Sequence, residues 1–124
     1  MRIPTAIKLH KRSQTLELHY SESERYRLPA EFLRVYSPSA EVRGHGKEVL
    51  QTGKQFVALT RLEAAGQYAL KLYFDDGHES GLYSWDYLEH LAKNQHSLWQ
   101  DYLAKLQAAR KSRDPHETVV KLRL

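Results

Sequence analysis

Residues 74–85, FDDGHESGLYSW, divide the chain: the residues before them alternate like strand and those after them recur like helix. The stretch carries Gly77, His78, Gly81, Tyr83 and Trp85 around one reversal of direction. Aspartate bonds readily to nearby backbone and glycine supplies positive φ, so Asp75, Asp76 and Gly77 have turn chemistry. The stretch reads as a turn joining sheet to helix.

Upstream, Ile7 and Leu9 alternate with Lys8 and His10, and Leu16, Leu18 and Tyr20 alternate with Glu17 and His19. A period of two with one apolar face is the strand pattern, and residues 11–14 are a polar connection, so residues 5–20 predict a hairpin. Tyr26 and Leu28 predict a third strand. Pro29 suits the first turn of a helix continued by AEFLRVY, with Phe32 and Leu33 on its buried side. Pro38, Gly44, Gly46 and Gly53 punctuate an ordered loop, in which Val49 and Leu50 read as a short strand. Residues 56–62 and 67–74 form the strongest strand pair, joined by a turn at 63–66. Tyr68, Leu70, Leu72 and Phe74 share one face, and Lys71 and Tyr73 the other.

Downstream, Ser84 is placed to cap a helix with Asp86 in its first turn, and Trp85, Leu88, Leu91 and Ala92 form its inward stripe. Asn94 ends it. Ser97 with Gln100 resembles a capping box for a second helix, whose inward face is Trp99, Tyr102, Leu103, Leu106 and Ala109. Pro115 closes the helical region. The expected fold is α+β: an antiparallel sheet built from hairpins, followed by two C-terminal helices. Residues 1–111 form one domain. Residues 112–124 form a tail that reads either as a strand, by the alternation of its last residues, or as a disordered terminus.

A chain of 124 residues supports one modest core, and 41% hydrophobic with 27% charged residues is ordinary for a globular protein. No apolar run approaches the ~18 residues of a membrane span, and MRIPTAIKLHK lacks a signal-peptide core, so a cytoplasmic chain is expected. With no cysteine, disulfides, thiolate catalysis and cysteine-ligated zinc or iron–sulfur centres are excluded. The net charge of +4 is spread along the chain, as a solvated surface would be.

The polar cluster Asp75, Asp76, His78, Glu79, Ser80 and Ser84 has the residue types of acid–base or nucleophilic chemistry. A turn explains the same residues without catalysis, and no catalytic residue is expected. His10 and His19 lie on the polar side of the first hairpin, where cross-strand histidines can ligate a transition metal or simply face water. Nucleic acid is the competing partner class, because Tyr26, Tyr73 and Phe56 with Arg25, Arg27 and Lys71 would form a stacking, cationic surface.

Two segments, LPAEFLRVYSPSAEVRGHG and YALKLYFDDGHESGLYSWDYL, resemble the gamma-butyrobetaine-hydroxylase-like N-terminal domain, a domain of unknown function. The resemblance covers roughly residues 5–105 and is most specific in the run from Asp76 to Leu88. It implies an antiparallel β domain carrying a few helices. Similar members occur as stand-alone bacterial proteins. Others are fused to non-haem iron dioxygenases that hydroxylate betaines, or to P-loop ATPases of iron–sulfur carriage. In the hydroxylases a Cys-x-Cys-x-x-Cys group and the histidine of the DGH run hold zinc. His78 matches that histidine, whereas Ser37, Ser39 and Val42 stand at the cysteine positions, so the resemblance implies the scaffold without the zinc.

These readings converge on a non-catalytic accessory or protein-interaction module without a cofactor. Its partner is unknown; the resemblance points to a P-loop ATPase of iron–sulfur carriage. Its candidate surface is His78, Tyr83 and Trp85 meeting Ser37, Ser39 and His45, with hydrogen bonds from Ser37 or Ser39 to His78 taking over the metal's clamping role.

Overall fold

Leu16 and Leu18 are fully buried along strand β2 (Thr15–His19), the centre of the first sheet, and Glu17 on its other side is buried as well. Strands β1 (Ala6–His10) and β3 (Arg25–Pro29) flank it antiparallel, with Leu9 opposite Leu16 and Leu28 beyond. Proline lacks the N–H that a ladder uses, so Pro29 ends β3 and caps α1 (Ala30–Val35), whose first turn begins one residue later than predicted. Phe32 and Leu33 are buried. The computed structural model describes residues 2–39 and 49–117.

The second sheet is a separate meander of β4 (Leu59–Ala65), β5 (Ala69–Phe74) and β6 (Glu79–Ser84). The expected single sheet is thus two three-stranded antiparallel sheets, and residues 79–84 are not turn but an edge strand. Only residues 75–78 reverse the chain. Strand β4 starts three residues later than expected, and Val49 and Leu50 form no strand. Leu50 instead packs beside Val35, Tyr102 and Leu106.

Two helices complete an α+β architecture. Ser84 caps α2 (Trp85–Lys93) by accepting the Tyr87 N–H at 3.1 Å. Helix α3 (Gln95–Ala109) begins before the expected capping box. Ser97 lies inside it and donates its hydroxyl to the Asn94 carbonyl at 3.2 Å, a bond available only from within the first turn. Tyr102 and Leu106 are buried, but Ala109 is exposed beside the left-handed cap at Arg110. Leucines and aromatics from both sheets, α1 and α2 share the main core. Gln14, at φ 54°, joins the sheets: its carbonyl accepts the Ala30 N–H at 2.9 Å and its Oε1 the Leu59 N–H at 2.6 Å.

The proposed tail does not begin where contact ends. Gly53 and Gln55 donate to the carbonyls of Ser112 and Arg113, each at 2.9 Å, so residues 112–117 are tied to the body. Residues 118–124 lie outside the described part. No helix among the described residues is long and apolar enough to cross a membrane.

Candidate functional site

The turn at 75–78 meets the segment after α1. His78 Nε2 is 2.9 Å from Ser37 Oγ and 3.2 Å from Ser39 Oγ, and the Ser39 N–H points to Ser37 Oγ at 3.3 Å. Tyr83 closes the group from β6. Its hydroxyl donates to the Leu33 carbonyl at 2.5 Å, and burial pushes the phenol well above its usual pKa while a bond with Ser37 pulls against that rise. Gly81 lets the segment approach. It has φ +73°, and a Cβ there would stand 3.2 Å from Ser39 Cα and N. Gly81→Ala is expected to cost about 1–3 kcal/mol, from left-handed strain plus the backbone clash, measurable by urea denaturation.

Behind this group lies a residue the sequence reading passed over. Arg34, in α1, is 2% exposed and donates Nε to Asp76 Oδ2 at 2.8 Å and Nη1 to Gln51 Oε1 at 3.0 Å. Lys54 Nζ reaches the same Oδ2 at 3.0 Å, and Asp76 Oδ1 accepts the His78 N–H at 3.1 Å. Partial burial raises the Asp76 pKa, but the bonds from Lys54, Arg34 and the His78 amide outweigh it and hold the carboxyl at about 2. Asp75 is equally committed, its Oδ1 accepting the Ala58 N–H at 2.9 Å. The acidic pair that resembled acid–base machinery fastens the turn to α1 and to Ala58, just before β4.

A folded pKa below the unfolded value of ~3.9 stabilises the protein above that value, and the stabilisation is lost as pH falls toward the folded pKa. Asp76→Asn should therefore cost roughly 1–2 kcal/mol at neutral pH, after discounting for solvent screening, and lose its effect at the acid end. Urea denaturation of wild type and variant, repeated across the acid range, checks this. The two stability curves should converge between the unfolded value and about pH 2.

Of the candidate surface, His78, Ser37 and Ser39 come together with Tyr83 bonded to Ser37 beside them, Trp85 is held elsewhere, and all five are buried. Trp85 points inward and donates Nε1–H to the Gln67 carbonyl at 2.8 Å. A buried group cannot present a face to a partner, so these residues form an internal clamp. His45 and Val42 lie outside the described residues. The family's zinc does not fit the residues present: Nε2 of His78 faces two hydroxyls where thiolates would be needed, and the chain has no cysteine.

His10 and His19 are not opposite each other; His10 pairs with Thr15 and His19 with Ala6. Both instead contact Glu17, His10 at 3.0 Å, and Arg27 Nε reaches the same carboxylate at 3.0 Å. Among the described residues no group of three His, Cys, Asp or Glu side chains has the geometry to hold a metal ion. The aromatic residues expected to form one stacking surface are dispersed. Tyr26 is on the first sheet and Tyr73 on the second, and Phe56 stacks on His116 with ring centroids 6.1 Å apart.

The chain matches the model of the family described as gamma-butyrobetaine hydroxylase-like, N-terminal, over residues 7–89. One solution NMR structure is 66% identical, with 100% of this chain and 99% of that chain covered and a TM-score of 0.86. Another is 47% identical, with 100% and 95% covered and a TM-score of 0.78. A crystal structure from Acidithiobacillus ferrooxidans is 32% identical over 72% of this chain and 91% of that chain, with a TM-score of 0.61. That protein has unknown function and belongs to the DUF971 family. No curated protein gives a match. The chain belongs to the gamma-butyrobetaine hydroxylase-like N-terminal domain family.

Proposed function

We propose that this domain is a non-catalytic module that binds another protein through the outer face of its second sheet. The observation that carries the reading is Leu82, which is 55% exposed although it lies within β6. Glu63, Lys71 and Leu82 form one row across the sheet, and Arg61 and Tyr73 pair in the next. Tyr68 is 70% exposed at the neighbouring turn. Large apolar side chains among cations suit a partner face that is apolar and acidic. The acids and the histidine of the turn at 75–78 are engaged in structural bonds, which supports a binding role over a catalytic one. The family's fusions make a P-loop ATPase of iron–sulfur carriage the first partner to test.

Nucleic acid is the second reading, favoured by Arg61 and Lys71 beside Tyr73. Against it, the Arg61 guanidinium lies 4.1 Å from the centre of the Tyr73 ring, over the surface a base would stack on. Binding to the purified ATPase and affinity capture with and without nuclease separate the two readings. Nuclease-resistant protein binding that falls about tenfold in both Leu82→Asp and Lys71→Glu, with melting temperatures unchanged, is the expected result. Capture abolished by nuclease, or binding unaltered in both variants, overturns it.

A further inference from the structure

A cleft of about 610 Å³ opens where the β3–α1 junction, the end of α2, the start of α3 and Arg113 meet. Its volume is in the range of small-molecule sites. Pro29 and half-buried Trp99 give it an apolar wall, backed by buried Phe32 and Ala92, and Lys93, His96 and Arg113 give it a basic rim.

The one acid in its lining, Glu31, is already neutralised. Arg113 donates Nε to Glu31 Oε2 at 2.8 Å and Nη2 to Glu31 Oε1 at 2.6 Å. The guanidinium also lies 5.2 Å from the centre of the Trp99 ring, so it is fixed from two directions. Nη1 is not engaged by Glu31. A guanidinium held this way needs little further ordering to bind an anion. Lys93 supplies a second cation: its side chain is half exposed, and its ion pair with Glu89 is long, 3.7 Å, to a carboxylate that Arg2 Nε already contacts at 2.5 Å.

We propose that this cleft binds a small organic anion with a flat apolar body. Its carboxylate, phosphate or sulfate lies at Lys93 and Arg113, and its body lies against Pro29 and Trp99. A cation would meet Lys93 and Arg113 unfavourably. A neutral ligand would cover the rim without replacing the water it displaces. This site is independent of the sheet-face reading, and neither depends on the other.

The probe is 2-naphthoate, titrated into the intact chain and followed by amide and indole NMR, with neutral 2-naphthamide as its isostere. The chain has two tryptophans. Trp85 is engaged in the core through Gln67 and serves as the internal reference, while half-buried Trp99 reports on the cleft. The expected result is saturable movement of the Trp99 indole and of the Ala92 and Lys93 amides, with Trp85 still and the amide binding about tenfold more weakly. Lys93→Ala should weaken 2-naphthoate about fivefold, and the double variant Glu31→Gln/Arg113→Gln about tenfold. The double variant replaces both charges together, leaving no lone buried carboxylate; if it unfolds, Lys93→Ala decides. Absence of saturable binding, movement centred away from Trp99, equal affinity for the amide, or unchanged affinity in the folded variants overturns the proposal.

Discussion

Arg34→Met is expected to lower stability by about 3–4 kcal/mol, equivalent to a fall in melting temperature of roughly 10–20 °C for a domain of this size. The methionine fills most of the volume, so the loss is electrostatic. Gln51 Oε1 keeps no donor from α1, and Asp76 loses its buried partner while Lys54 remains. That surviving lysine, together with the partial exposure of Asp76, places the cost at the lower end of broken buried pairs. Arg34→Lys should recover only part of the loss, because one ammonium cannot serve two acceptors in the geometry of a fork. Chemical denaturation gives the magnitudes. A double-mutant cycle with Asp76→Asn isolates the pair, and a coupling below about 0.5 kcal/mol would show that Arg34 does not act through Asp76.

His78→Ala is expected to cost about 2–3 kcal/mol, the second-largest effect. The ring leaves a cavity between Phe74 and the serines, and the Ser37 and Ser39 hydroxyls lose the nitrogen they share. Melting temperature should fall by roughly 8–15 °C. Added zinc should leave the melting temperature of both proteins unchanged, since a ligand stabilises only the state that binds it. A melting curve for His78→Ala that overlays wild type would mean the clamp contributes nothing.

What was legible in the sequence was local. Ser84 caps α2 because a cap depends on residues three apart, and alternation picked out Leu16, Leu18, Leu70, Leu72 and Phe74 as buried, although Glu17 on the opposite side of β2 is buried too and Tyr68 is exposed. Strand β6 was hidden because Gly81, at positive φ, interrupts it, and only pairing with β5 makes its residues a strand. Alternation also says which side of a strand is buried but not which strands are neighbours, so two sheets read as one. Arg34 illustrates the same limit. A charge in AEFLRV reads as solvent-facing, and its interior role depends on an aspartate 42 residues away. The approach of Ser37 and Ser39 to His78 was reachable only through the family resemblance. Their burial depends on Tyr83, Gly81 and the helices around them, which no spacing in the sequence displays.

Gln14 has a consequence for how the chain folds. Each sheet is a meander of consecutive strands, so each can assemble from contacts close in sequence and at little cost in loop closure. The core they share couples the two halves once both are formed. The Leu59 amide takes its acceptor from a side chain in the first hairpin, 45 residues earlier. Its hydrogen exchange should therefore be as slow as global unfolding permits, and Gln14→Ala should speed that one amide far more than it lowers the melting temperature. The glutamine in the turn thus makes one amide of the second meander a reporter of whether the first stays in place.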